Sequence, residues 1–277
     1  MTRADRTDRL AQEAPPAPDP LGVPVLDSHC HLDIVGTDVG EQLAAARAVG
    51  VHVVVQVGVD VASSQLSAEV AEQYDDVWAA VALHPNEAGA GAATPEALAE
   101  IERLAGLPQV KAVGETGLDH YRTPPEGRGQ QEQSFRAHID IAKRTDTALV
   151  IHDRDAHDDV LRVLEEEGAP DRVVFHCFSG DVAMARHCAE RGWFLSFAGN
   201  VTFKSAQELR DAAAATPRDL LLVETDAPFL TPVPWRGRPN ASYLIPVTMR
   251  ALAELHGADL DDLCGAVMAN GRRAFSL

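Results

Sequence analysis

No apolar run in this chain approaches the ~18 residues that a membrane span requires, so nothing in the sequence argues for insertion into a bilayer. Cysteine is scarce. Cys30, Cys177, Cys188 and Cys264 form no CxxC pair and no disulfide-type spacing, the pattern of free thiols in a reducing, cytoplasmic setting. Basic charge is also in short supply, with 24 Lys and Arg against 42 Asp and Glu for a net charge of −18. That balance argues against the broad basic surface used for sequence-independent nucleic-acid binding. The N-terminus lacks the apolar segment of a secretory signal. Met1–Pro20, polar and rich in Ala, Pro, Arg and Asp, reads as a disordered tail, with residues 21–277 as a single domain. No protein partner is expected.

What the chain does have is alternation. Short β-branched runs, at Val23–Ser28, Val51–Val57, Val77–Leu83, Val110–Gly114, Ala148–Ile151, Arg172–Phe175, Trp193–Phe197 and Leu220–Val223, are separated by Ala/Leu/Glu-rich stretches. The latter predict helices near Glu41–Val49, Ala62–Tyr74, Pro95–Leu104, Gly129–Thr145, Asp155–Glu167, Val182–Arg191 and Ser205–Ala215. A last helical region runs from Pro246 to Ala269 and breaks near Gly257. Thr94-Pro95 has the form of an N-cap followed by proline, and Gly50, Gly168 and Gly192 suit helix C-termini. The strands are apolar throughout rather than alternating, as in a parallel sheet buried on both faces. Eight strand–helix units predict an α/β fold, the (β/α)8 TIM barrel.

In that fold the active site lies at the C-terminal ends of the strands. Imidazoles and carboxylates stand at those ends: His29 and His31 after the first strand, Glu115 after the fourth, His152 after the fifth, His176 after the sixth and Asp226 after the eighth. These are ligands for divalent metals, and six of them suggest a hydrolase with two divalent ions. His29 and His31 are two apart and share one side of an extended strand. Glu115, with two oxygens to offer, suits a bridging position. His152 and His176, on adjacent strands, suit a second ion. Asp226, opposite the His-x-His strand, suits the first ion and the role of general base toward the attacking water. Two cations held by four neutral imidazoles and two carboxylates leave a local charge of +2, which attracts anions even within an acidic protein.

Glu224 and His84 join Asp226 and Glu115 as candidate catalytic groups, while Asp33, Asp119 and Asn240 are candidates for supporting the ligands or meeting substrate. Arg154, Lys204, Arg236 and Arg238 fall in loops on the active face, where they are candidates for gripping phosphate oxygens, Arg in bidentate fashion. His52, His138, His157, His187 and His256 read as structural or surface residues, and His120 as undecided. Cys30 and Cys177, neighbours of candidate ligands, are expected to face away from the site.

Several strings resemble those of the TatD family of metal-dependent deoxyribonucleases, a branch of the amidohydrolase-like barrels. They are Asp27-Ser28-His29-Cys30-His31-Leu32-Asp33, Leu83-His84-Pro85, Gly114-Glu115-Thr116-Gly117-Leu118-Asp119, Ile151-His152-Asp153-Arg154-Asp155-Ala156, Phe175-His176-Cys177-Phe178-Ser179-Gly180, Glu224-Thr225-Asp226-Ala227-Pro228-Phe229-Leu230 and Pro234-Trp235-Arg236-Gly237. They follow family order over nearly the whole folded chain. The resemblance implies His29, His31, Glu115 and Asp226 on one ion, Glu115, His152 and His176 on the other, and a phosphodiesterase acting on DNA, often from the 3′ end, with RNA as a further substrate in some members. The chain departs from the family at His120, where an aromatic is common, and at Ala241-Ser242, where an acidic residue often follows Asn240.

The ligand set does not choose among Mg2+, Mn2+ and Zn2+. The expected partner is DNA or another phosphodiester, bound weakly, since basic and aromatic residues are not interleaved along the sequence. The alternatives are hydrolysis of a small ester, lactone or amide, an aminoacyl-tRNA deacylase, and a non-catalytic metal-binding scaffold. Glu115 stands where many amidohydrolase-like enzymes carry a bridging carbamylated lysine, which favours the TatD-like branch.

Overall fold

The computed structural model describes residues 13–277. Eight parallel strands, β1 (Val25–Cys30), β2 (Val51–Val57), β3 (Val77–Val81), β4 (Val110–Asp119), β5 (Ala148–Arg154), β6 (Val173–Phe175), β7 (Phe194–Phe197) and β8 (Leu221–Val223), are hydrogen-bonded in sequential order. The helices between them are α1 (Leu32–Val35), α2 (Val39–Ala48), α3 (Val61–Gln73), α4 (Pro85–Gly89), α5 (Pro95–Ala105), α6 (Pro125–Thr145), α7 (His157–Glu167), α8 (Val182–Glu190) and α9 (Gln207–Ala215), with α10 (Ile245–Leu255) and α11 (Leu260–Phe275) closing the chain. This is the barrel expected from the alternation. Among the described residues no helix is long and apolar enough to cross a membrane.

Each strand is apolar because it meets neighbours on both sides. Val25 and Leu26, Val54 and Val55, Ala112 and Val113, and Leu149–Ile151 are all essentially inaccessible. The helices bury one stripe: Gln131, Phe135, His138, Ile139 and Ala142 of α6, and Val160, Val163 and Leu164 of α7, recur at three- and four-residue spacing. Side-chain caps fix where helices begin, Asp38 for α2, Asp60 with Ser63 for α3, Thr94 for α5, Asp181 for α8 and Asp259 for α11.

The structure differs from the sequence reading at several boundaries. β4 and β5 run on to Asp119 and Arg154, so Glu115 and His152 lie within strands rather than after them. Two glycines allow this. A Cβ at Gly114 would collide with Val150, and one at Gly117, whose φ is 133°, would collide with the His152 carbonyl. Without side chains at these two positions, β4 lies close against β5 through an irregularity in register between Val113 and Thr116. The helix α6 starts at Pro125, the first-turn position that proline favours, not at Gly129. The final helical region divides at Gly257 (φ 54°) as expected, but its second part continues to Phe275.

Part of the segment expected to be a disordered tail is held in place. The Tyr243 hydroxyl donates to the Pro15 carbonyl at 2.7 Å, and Arg250 donates to the Asp19 carbonyl at 2.8 Å. Residues 1–12 of that segment lie outside the described residues.

The seam between β8 and β1 has little strand ladder of its own. It is closed by a single bridge between Cys30 and Ala227, by the amides of Asp226 and His31 donating to the His29 and Ala227 carbonyls, and by the buried Asp27 carboxylate. Asp27 accepts from the Thr225 amide at 2.9 Å and the Thr225 hydroxyl at 2.5 Å. Burial pushes its carboxyl up to about 7, against the lowering effect of these bonds. Asp27→Ala leaves the Thr225 amide without its acceptor inside the seam. It is expected to cost about 2–4 kcal/mol in urea unfolding; an unchanged unfolding midpoint contradicts this role.

Candidate metal centre

The histidines and carboxylates at the strand ends converge. The Glu115 carboxylate, only 5% exposed, occupies the middle, and its two oxygens face different neighbours. Oε1 lies 3.7 Å from His29 Nε2 and 3.6 Å from His31 Nε2. Oε2 lies 2.8 Å from His176 Nε2, 3.2 Å from His152 Nδ1 and 3.7 Å from His84 Nε2. Asp226 approaches the first set, its Oδ1 3.7 Å from His31 Nε2 and 4.0 Å from His29 Nε2. The rings of His29 and His176 stack with centroids 3.9 Å apart, which joins the two sets.

Backbone geometry sets these positions. His29 lies within β1 and His31 just beyond it. Asp226 has a left-handed φ of 51°, an unfavourable conformation for a residue with a Cβ. Its amide donates to the His29 carbonyl and its own carbonyl accepts from Phe229, so the turn is held from both sides. Asn240 supports the same turn by donating to the carbonyls of Thr225 and Phe229. His176 stands one residue past β6.

A second layer of polar groups orients the imidazoles. His31 Nδ1 lies 3.0 Å from the Val57 carbonyl, which can only accept, so Nδ1 carries a hydrogen and Nε2 is the nitrogen that faces the centre. His176 Nδ1 lies 3.3 Å from Glu224, and His152 Nε2 lies 3.3 Å from Asp119, leaving the opposite nitrogen of each ring facing Glu115. Carboxylate–histidine pairs of this kind fix ring orientation and tautomer in metal sites. Glu224, a catalytic candidate by sequence, thus contacts a histidine and the Cys177 amide rather than the mouth. Asp33 accepts instead from Gln56, which in turn accepts from the Leu32 amide, and belongs to the local turn.

The electrostatics match a site built for cations. Burial raises the Glu115 carboxyl, but the His176 charge and the hydrogen bonds from His152 and His176 outweigh it and hold the group well below its ordinary value. Burial lowers His31, yet Asp226 and Glu115 hold it up at about 9. Burial and the neighbouring His176 pull His29 down to about 4. Both ring nitrogens of His29 are buried with no hydrogen-bond partner, a costly arrangement for polar atoms unless something else satisfies them. The separations of 3.6–4.0 Å from Nε2 of His29 and His31 to the two carboxylates are too long for hydrogen bonds. They are close to the spacing of ligands that each sit about 2.0–2.2 Å from one shared ion. Among the described residues, three overlapping groups have donor atoms mutually within 4.8 Å: His29, His31 and Asp226; His29, Glu115 and His176; His84, Glu115 and His152. The residues fit divalent metal.

Around this centre, Arg154 lies over the exposed Tyr121 ring at 4.1 Å, and Arg236 over Phe203 at 4.5 Å. The first pair comes from the ends of β4 and β5, the second from the loops after β7 and β8, so both stand on the active face. The basic and aromatic residues that are separate in sequence are therefore paired in space. Lys204 is exposed, with its carbonyl engaged by Arg210, and Arg238 is half-buried with its carbonyl accepting from Thr231; among the described residues, no hydrogen bond or ion pair ties either side chain to the ligand cluster. His120 faces Asp159 of α7 at 3.9 Å. Buried His138 links the Ser134 carbonyl to the Leu83 amide, a structural role. Cys30 points to the Val55 carbonyl on β2, away from the centre. Cys177 lies past β6, where strand alternation no longer applies, has a left-handed φ of 43°, and its thiol is pushed up by burial and then by the charges of Asp226 and Glu224.

Asp119→Ala and Glu224→Ala should fold normally and lose about 10- to 100-fold in Mn2+ affinity by calorimetry; unchanged affinity contradicts the orienting role. Because His31 is held protonated up to about 9, an ion must displace its proton. Apparent affinity should fall by about tenfold per pH unit for each proton displaced as pH drops below 9, and affinity independent of pH between 6 and 8 contradicts this.

The chain matches the family model described as TatD related DNase over residues 26–276. It is 47% identical over 261 residues to an uncharacterised metal-dependent hydrolase, TatD, of Mycobacterium tuberculosis, covering 91% of this chain and 98% of the relative. It is 34% identical over 251 residues to the 3′-5′ ssDNA/RNA exonuclease TatD of Klebsiella pneumoniae, covering 87% and 92%. A solved TatD homologue from Escherichia coli superposes with a TM-score of 0.86 at 27% identity, covering 91% and 98%. The organophosphorus hydrolase of Deinococcus radiodurans, at 16% identity and a TM-score of 0.59, covering 91% and 92%, shares the fold. With its ligand-bearing barrel and this agreement along its length, the chain belongs to the TatD family of metal-dependent hydrolases.

Proposed function

We propose that this chain hydrolyses phosphodiester bonds at the ends of single-stranded nucleic acid, using two divalent ions. In this reading His29, His31 and Asp226 would hold one ion and His152 and His176 the other, with Glu115 available to both. The observation that carries it is the division of the Glu115 carboxylate, one oxygen toward His29 and His31 and the other toward His152 and His176. When bound, such ions supply positive charge for the phosphate and lower the pKa of water from ~15.7 toward ~7.

The protein's own groups do the rest. Asp226 is 16% exposed against 5% for Glu115, so it is the carboxylate that meets incoming water and takes its proton. Asp119 and Glu224 keep the imidazoles in register throughout. The two arginine–aromatic pairs favour a nucleic-acid strand over a small ester: an aromatic face stacks a base while the guanidinium holds a phosphate. The relative from Klebsiella pneumoniae, named for action on ssDNA and RNA, supports the same substrate class. A net charge of −18 keeps binding weak away from this local cluster.

The test is hydrolysis of a 5′-labelled single-stranded DNA oligonucleotide with Mg2+ or Mn2+, beside a panel of esters and lactones. Shortening from the 3′ end is expected, with activity abolished in His152→Ala. Tyr121→Ala should raise KM for the oligonucleotide by about tenfold, the equivalent of one lost base stack. An intact oligonucleotide alongside turnover of an ester or lactone overturns the reading.

A further inference from the structure

His84 has the spacing of a metal ligand. With Glu115 and His152 it forms one of the groups whose donor atoms lie within 4.8 Å of one another, and its ring meets that of His152 edge-on at 4.6 Å. The hydrogen bond on the far side of its ring says otherwise. The Asn86 amide donates to His84 Nδ1 at 3.0 Å, as the cap of α4. A backbone N–H can only donate, so Nδ1 is the unprotonated nitrogen. A neutral imidazole has one N–H, and it must be on Nε2. Nε2 faces the centre, 3.7 Å from Glu115 Oε2.

The contrast with the other rings is consistent. His31, His152 and His176 each have an outer acceptor near the far nitrogen, Val57, Asp119 and Glu224, so each can keep its hydrogen there and give up the inward one to an ion. His84 alone of these four has its outer nitrogen committed as an acceptor, so its hydrogen must stay on the inward side. It is also anchored from behind, since buried His138 accepts from the Leu83 amide at 3.1 Å and the His84 amide donates to the Val59 carbonyl at 2.8 Å. Its side chain is 14% exposed, enough to touch a molecule in the mouth.

We propose that His84 is a catalytic hydrogen-bond donor, its Nε2–H holding a non-bridging phosphoryl oxygen of the substrate, and is a ligand of neither ion. The identity of the accepting oxygen rests on the phosphodiester reading; the donor assignment does not. Burial agrees with the neutral form, pulling the imidazole down to about 3. A donor aimed at oxygen that gains charge in the transition state favours turnover more than ground-state binding.

The test compares His84→Ala and His84→Gln, whose amide restores an N–H donor, with wild type. Elemental analysis after Mn2+ loading should find wild-type ion content in both. On the oligonucleotide, kcat should fall about 10²–10³-fold in His84→Ala and recover at least about tenfold of this in His84→Gln, with KM changed far less. Long-range 1H–15N spectra of the Zn2+-loaded wild type should show the proton on His84 Nε2 and an unprotonated Nδ1, whether or not the variants fold. Loss of an ion equivalent in His84→Ala, a proton on Nδ1, or wild-type kcat in His84→Ala overturns the proposal. Should wild type leave the oligonucleotide intact, the phosphodiester reading fails on its own, and the ion content and the spectra still decide between donor and ligand.

Discussion

One buried carboxylate governs the site. Burying an ionised group costs several kcal/mol unless opposite charge and hydrogen bonds compensate it. Glu115 meets that requirement chiefly through His176 at 2.8 Å and His152 at 3.2 Å, with three further imidazoles around it, and it is held ionised despite its burial. Much of the surrounding architecture serves this arrangement. Gly114 and Gly117 let β4 approach β5 closely enough to bring Glu115 alongside His152, and the Asp27–Thr225 contact draws β8 to β1 so that Asp226 faces the His29–His31 pair. A parallel barrel gathers strand ends at one rim. These local devices decide which atoms meet there.

The fold was legible because its signal repeats. Eight apolar runs separated by helical stretches admit few arrangements, and the positive φ of Gly50, Gly168 and Gly192 matches their reading as helix ends. The strand-end imidazoles and carboxylates were legible for a related reason: each follows an apolar run by one to three residues. What escaped was non-local or masked by glycine. The continuation of β4 through Gly114-Glu115-Thr116-Gly117 looks like a loop in sequence, because glycine is poor strand material unless another backbone must come close. The pairing of Arg154 with Tyr121, and of Arg236 with Phe203, joins residues from different strand ends and has no signature along the chain. Lys204 and Arg238 show the converse, since a basic residue in an active-face loop need not reach the centre.

The roles of the histidines were the least legible part. Strand-end position marks His29, His31, His152 and His176 as ligand candidates and His84 as a catalytic one, but function depends on which nitrogen carries hydrogen, and that is set by partners elsewhere in the chain: Val57 for His31, Asp119 for His152, Glu224 for His176 and Asn86 for His84. His138, read from the sequence as structural or surface, has both nitrogens committed to backbone and nothing left for a metal. His29 is the extreme case, buried with neither nitrogen partnered. Local conformations at Asp226 and Cys177, both left-handed, show that the turns carrying these groups are shaped for the site at some conformational cost.

The central claim is that Glu115 divides its two oxygens between two cations. Anomalous scattering from crystals loaded with Mn2+ tests it most directly. The account predicts two peaks, one among His29, His31, Asp226 and Glu115 Oε1, the other among His152, His176 and Glu115 Oε2. A single peak that leaves one Glu115 oxygen facing only imidazole, or no peak within reach of Glu115, contradicts it.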